Sequence, residues 1–96
     1  MPTYEWQPRF RREFQRLTPR QQRAFLDTVH KLVSDLRAAD LRAGLRMKHV
    51  SGHPGVYELT WAPDGRATFS LGDEVHPGHP HVIWRCVGTH DILDEP

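Results

Sequence analysis

The sequence predicts an α+β domain: two N-terminal helices packed on a small antiparallel sheet of about four strands, with room for an added N-terminal strand. Three observations carry this. Apolar residues recur at helical spacing only in the first half of the chain, they alternate at period 2 only after Gly44, and strong turn signals separate the alternating runs. With 96 residues the chain is a single domain, 1–96. A chain of that size buries roughly 60–65% of its unfolded surface, enough for one modest core.

From Pro8 to Leu17, the residues Phe10, Phe14 and Leu17 fall at i, i+4 and i+7 on one face of a short helix, and Arg9, Arg11, Arg12 and Arg16 take much of the rest. Thr18-Pro19 starts a second helix. Thr18 is the N-cap, Pro19 the first helical residue, and Gln21 the reciprocal partner of a capping box. This helix is expected from Pro19 to about Ala39, with Phe25, Val29, Leu32, Val33 and Leu36 as its buried stripe.

After Gly44 the period changes. Leu45–Val50 reads as a strand ending in the turn Ser51–Gly55, and Val56–Ala62 as a second strand. Pro63-Asp64-Gly65 is a hairpin turn in which Gly65 is expected to supply a positive φ. Arg66–Leu71 is a third strand, Gly72–Pro80 a loop, His81–Val87 the last strand, and Gly88–Pro96 a tail. Alternation sorts the faces. Tyr57, Leu59, Trp61, Ala67, Phe69 and Leu71 should meet the helices, leaving Glu58, Thr60, Arg66, Thr68 and Ser70 outside with Arg46 and Lys48. Trp6 and Trp61 are expected in the core. Trp84 suits either the core or a base-stacking platform, and the shared parity of Trp84 and Cys86 suits a packed position for the thiol.

Composition narrows the function classes. Hydrophobic residues at 38% and charged residues at 26% fit a folded chain rather than a disordered one. No apolar run exceeds three residues, which excludes a membrane-spanning helix, and the opening Met1–Trp6 has no signal-peptide core. Cys86 is the sole cysteine and has no internal disulfide partner. The expected location is therefore the cytoplasm. Residues 1–48 carry 11 Lys or Arg against five Asp or Glu, a net +6; residues 49–96 carry two against seven, a net −5, and the whole chain is +1. Such a split fits a side that faces a polyanion, or equally an arginine-rich solvated helix surface. His76, His79 and His81 lack the spacing of a rigid zinc site, so neither metal nor other cofactor is expected.

The stretch Leu45–Leu93 resembles the RelE/ParE superfamily of toxins, and within it the HigB-like branch. The resemblance rests on the basic strand Arg46-Met47-Lys48, the step Gly55-Val56-Tyr57-Glu58-Leu59, the turn Asp64-Gly65-Arg66, and a closing strand that ends in Gly88-Thr89-His90-Asp91. The arginine-rich helical half fits as well. The resemblance implies the toxin of a type II toxin–antitoxin system, commonly a metal-independent mRNA interferase acting at the ribosome. It also implies a cognate antitoxin, in this branch a small helix-turn-helix protein. A ParE-like toxin of the same fold would instead bind and poison DNA gyrase without catalysis.

Carried onto this chain, the resemblance makes Arg66 the hairpin arginine that contacts the scissile phosphate. Lys48 falls on a basic position of the first sheet strand. Arg85 and His90 lie where C-terminal basic or acid–base groups stand. The pattern departs from RelE in lacking lysines on the strand of Glu58 and Thr60, and a tyrosine after His90. Metal-free RNA cleavage needs a base for the 2′-hydroxyl, positive charge on the phosphorane and an acid for the 5′-oxygen. Arg66 and Arg85 suit the second task, since guanidinium binds phosphate oxygens bidentately; each could instead pair with Glu58 or Asp91. His90 can serve as base or acid, and Glu58 as base or as a partner orienting Arg66. Arg46, Lys48, Arg66 and Arg85 form the expected RNA contact.

Overall fold

The computed structural model describes residues 3–35 and 47–96, with side chains at 3–31 and 49–96. Leu36, Ala39, Gly44, Leu45 and Arg46 lie outside the described residues, as do the side chains of Leu32, Val33 and Lys48. The elements in chain order are β1 (Thr3–Trp6), α1 (Pro8–Arg16), α2 (Pro19–Asp35), β2 (Met47–His49), β3 (Tyr57–Thr60), β4 (Gly65–Gly72), β5 (His81–Thr89) and a closing 3-10 helix, His90–Asp94.

Local chemistry explains the helix starts. Pro8 and Pro19 each open a helix, where a missing N–H costs nothing. At α2 the capping box forms as the spacing predicts: the Thr18 backbone N–H donates to Gln21 Oε1 at 2.8 Å, and the Gln21 N–H to Thr18 Oγ1 at 3.2 Å. One sheet holds all five strands in the order β1-β5-β4-β3-β2. Its four predicted strands pair antiparallel, and the added N-terminal strand is real but runs parallel to β5, Thr3 opposite His81 and Trp6 opposite Trp84. His81 clamps that edge, its Nδ1 at 2.7 Å from Thr3 Oγ1 and its Nε2 at 2.8 Å from Glu5 Oε1.

The core lies between this sheet and the helices. Phe10, Phe25, Leu59, Trp61, Ala67, Phe69, Val82, Trp84 and Val87 form one buried cluster, with Trp6, Phe14, Leu17, Val29, Tyr57 and Leu71 packed at its margin. The six strand residues assigned to the helix-facing side therefore all lie there. Its centre is aromatic: Phe25 stands edge-on to Trp84 at 5.2 Å, and Phe10 lies 5.6 Å from Phe25. Trp84 is thus core rather than an open stacking platform.

Three expectations need correction. A bulge breaks the alternation of β5: Thr68 pairs with Cys86, but the next residue, Phe69, pairs with Trp84, which leaves Arg85 as the extra residue. Trp84 and Cys86 consequently face opposite sides of the sheet. The outer side is also not uniformly solvated. Thr68 and Cys86 are fully buried, with Thr68 Oγ1 2.7 Å from Cys86 Sγ, because Ile92 and the chain after it fold back over them. Finally, Gly65 has no positive φ. A Cβ there would stand 2.7 Å from the Trp61 indole, so close approach, not turn geometry, requires the glycine.

Candidate functional site

The β4–β5 ladder decides which predicted residues meet. Gly65 pairs with Thr89 and Arg66 with Gly88, so Arg66 and His90 occupy the same end of the sheet, beside the Ala62–Gly65 turn. His90 is exposed as the first residue of the 3-10 helix, whose N-cap Thr89 accepts from the Asp91 N–H. Arg66 folds back onto its own turn. Its Nη1 donates to the carbonyls of Gly65 at 2.9 Å, Ala62 at 3.3 Å and Pro63 at 3.4 Å. These bonds hold the guanidinium in place and use one nitrogen, so its other edge stays available to a two-pronged oxyanion.

The remaining candidates stand elsewhere. Glu58 pairs with Lys48 on β2 and Thr68 on β4, two residue pairs inward from Arg66, whose partner on β3 is Thr60. Among the described residues no ion pair joins Arg66 to Glu58 or Asp91. Arg85, at the bulge, turns under residues 95–96: its Nη2 donates to the Pro96 carbonyl oxygen at 3.4 Å, and its Nε is buried without a partner. Arg46 lies outside the described residues. His76, His79 and His81 do not converge, since His81 belongs to the β1 edge and the exposed His76 and His79 to a turn of the 73–80 loop. No cluster of three His, Cys, Asp or Glu among the described residues is placed to hold a metal ion.

Two residues missed by the sequence reading join this region. Beyond Trp84, β1 no longer covers the edge of β5, and α1 takes its place. Glu13 accepts the edge N–H of Val87 at 3.4 Å and pairs with Arg9 at 3.4 Å, while Arg9 reaches the Glu95 carbonyl. The i, i+4 spacing of Arg9 and Glu13 was the available signal. Around Cys86, burial pushes the thiol upward, while the Thr68 hydrogen bond pulls in the opposite direction. That leaves a neutral, covered sulfur rather than a nucleophile.

At the hairpin end, Leu17 and Gln21 of the α1–α2 junction close with Trp61, Asp64, Gly65 and Thr89 around a pocket of about 200 Å³. Trp61 lines it, and its Nε1 is buried without an acceptor.

Helices first, a hairpin-linked sheet behind them and a basic group at the hairpin base define the class: this is the RelE-like α+β fold. The chain is similar in structure to YafQ from E. coli strain BL21(DE3), with a TM-score of 0.66 and 16% identity over 97% of this chain and 98% of that one. YafQ in the E. coli DinJ–YafQ complex matches with a TM-score of 0.57 and 14% identity over the same shares. No protein-family model matches the sequence, and no curated protein matches it.

Proposed function

We propose that this chain is the toxin of a type II toxin–antitoxin pair and acts as a metal-independent mRNA interferase, inhibiting translation at the ribosome. The observation that carries the reading is the pairing of Gly65 with Thr89, which sets Arg66 and His90 at one end of a sheet whose fold matches YafQ from end to end. In cleavage the 2′-oxygen attacks phosphorus and the 5′-oxygen leaves. Arg66 neutralises the phosphorane, and His90 moves a proton at one of the two oxygens. Glu58 is the candidate base, two residue pairs further along the sheet. YafQ's occurrence in a complex with DinJ supports an antitoxin partner, expected to be a small helix-turn-helix protein as in the HigB-like branch.

The test is induction in growing bacteria with mapping of mRNA 5′ ends, with and without translation. Growth arrest with new 5′ ends supports the reading, and cleavage by the purified protein should survive EDTA. One observation favours a second reading, a non-enzymatic ParE-like toxin that binds DNA gyrase: Arg66 is bonded to its own turn and not to a catalytic base. Arrest with intact mRNA and trapped gyrase would establish that alternative.

A further inference from the structure

We propose that the pocket at the hairpin end is a nucleobase subsite, taking the base next to a phosphate held at Arg66 and selecting one with an exocyclic amino group. The proposal rests on the RNA-cleaving reading and adds what that reading lacks, a source of base preference.

Size and walls indicate a flat ring. At about 200 Å³ the pocket is below the ~300–1,000 Å³ that drug-sized ligands fill, so it accommodates one ring system. Leu17 and the Trp61 indole supply apolar surface of the kind on which single-stranded RNA bases pack. Gly65 and Gly88 line it without side chains. A Cβ on either would meet Trp61 at 2.7 Å or Ile92 at 3.0 Å, so the surrounding packing itself keeps these positions bare.

One acceptor at the rim gives it selectivity. Asp64, exposed at the rim, offers a carboxylate that accepts hydrogen bonds and repels a bare anion. That acceptor matches the exocyclic amino group that adenine, guanine and cytosine carry. Uracil and thymine lack the amino group.

Position supplies the phosphate. Arg66 Nη1 is bonded to the carbonyls of Ala62 and Gly65, and both residues also wall the pocket. The guanidinium and the pocket therefore share the two sides of one turn. A single nucleotide can place its phosphate on one side and its base on the other.

The experiment titrates isotope-labelled protein with four uncleavable 2′-deoxy trinucleotides, all-dA, all-dC, all-dG and all-dT, following the indole N–H signal assigned to Trp61 by its loss in Trp61→Phe. The expected result is a saturable shift of that signal with at least one amino-bearing trinucleotide and none with all-dT. Asp64→Leu should weaken that binding about tenfold or more. No shift with any trinucleotide, or an equal shift with all-dT, overturns the proposal. A second arm separates it from the functional reading: if the wild type cleaves RNA but Asp64→Leu cuts with an unchanged base profile, the subsite falls and the interferase stands. If the wild type cleaves no RNA, the interferase reading falls, and the titration still decides the pocket.

Discussion

Arg66 and Cys86 show how one environment prepares a side chain for contact and another removes it. Arg66 is half-buried and anchored through Nη1 to three carbonyls of its own turn. Arg66→Ala loses these bonds but exposes no core, so it should cost about 1 kcal/mol, read as a small drop in Tm. Cleavage should fall on the order of 100-fold, since a preorganised charge on the transition state is lost, and Arg66→Lys should recover part. An equally toxic Arg66→Ala protein would remove Arg66 from the mechanism. Cys86 has the opposite character. Burial raises its pKa above the ordinary 9.0, so the folded state holds the thiol proton more tightly than the unfolded state does. Its contribution to stability is complete below the unfolded pKa and is lost as pH rises through the folded one. Melting curves should therefore show stability falling above about pH 9, with a shallower fall in Cys86→Ala.

Among the elements, α2 was the most legible because its start is written in local chemistry. Thr18, Pro19 and Gln21 name the cap, the first turn and the reciprocal bond, and both capping hydrogen bonds form. Thr18→Ala should accordingly cost about 1 kcal/mol, a loss that Thr18→Ser largely avoids; an unchanged Tm would mean the box adds nothing here. The sheet faces were legible on β3 and β4 for a similar reason, since simple alternation holds there. It fails on β5 because reading by twos cannot register the extra residue Arg85, so Cys86 is packed as expected but on the side opposite Trp84. Nor could the pattern show that Thr68 is buried. What covers it is the 90–96 segment, where Ile92 and Leu93 are a single apolar pair with no period to reveal it. Gly65 was recognised as essential to the turn for the wrong reason, since the close approach of Trp61 to Gly65 belongs to the folded hairpin and not to dipeptide statistics. Of the candidate site, the proximity of Arg66 and His90 follows once strand register is known. The withdrawal of Arg85 beneath residues 95–96 does not.

For the whole molecule, part of the charge split in the sequence is carried by the described helices. Arg11, Arg12 and Arg16 of α1 and Arg20 and Arg23 of α2 are all exposed, so the described helices turn these five charges outward. Arg16 and Arg20 bracket the α1–α2 junction, where Leu17 and Gln21 reach the pocket that Gly65 and Thr89 complete. These two arginines therefore stand at the same end as Arg66, and the helical basic surface runs into the candidate site. A strand of RNA seated at Arg66 would pass over them, and each phosphate they neutralise would release condensed counterions. Affinity for a single-stranded RNA should then fall steeply with salt, and the double variant Arg16→Gln/Arg20→Gln should flatten the log–log slope by roughly 1.4, about 0.7 for each phosphate no longer neutralised. Because both side chains are exposed, the variant should stay within about 0.5 kcal/mol of the wild type in stability. Binding measured by fluorescence anisotropy between low and physiological salt decides the point. A slope unchanged in the double variant would confine RNA to the sheet end. A flat response in the wild type would mean that this surface does not carry RNA, leaving its arginines to an acidic protein partner.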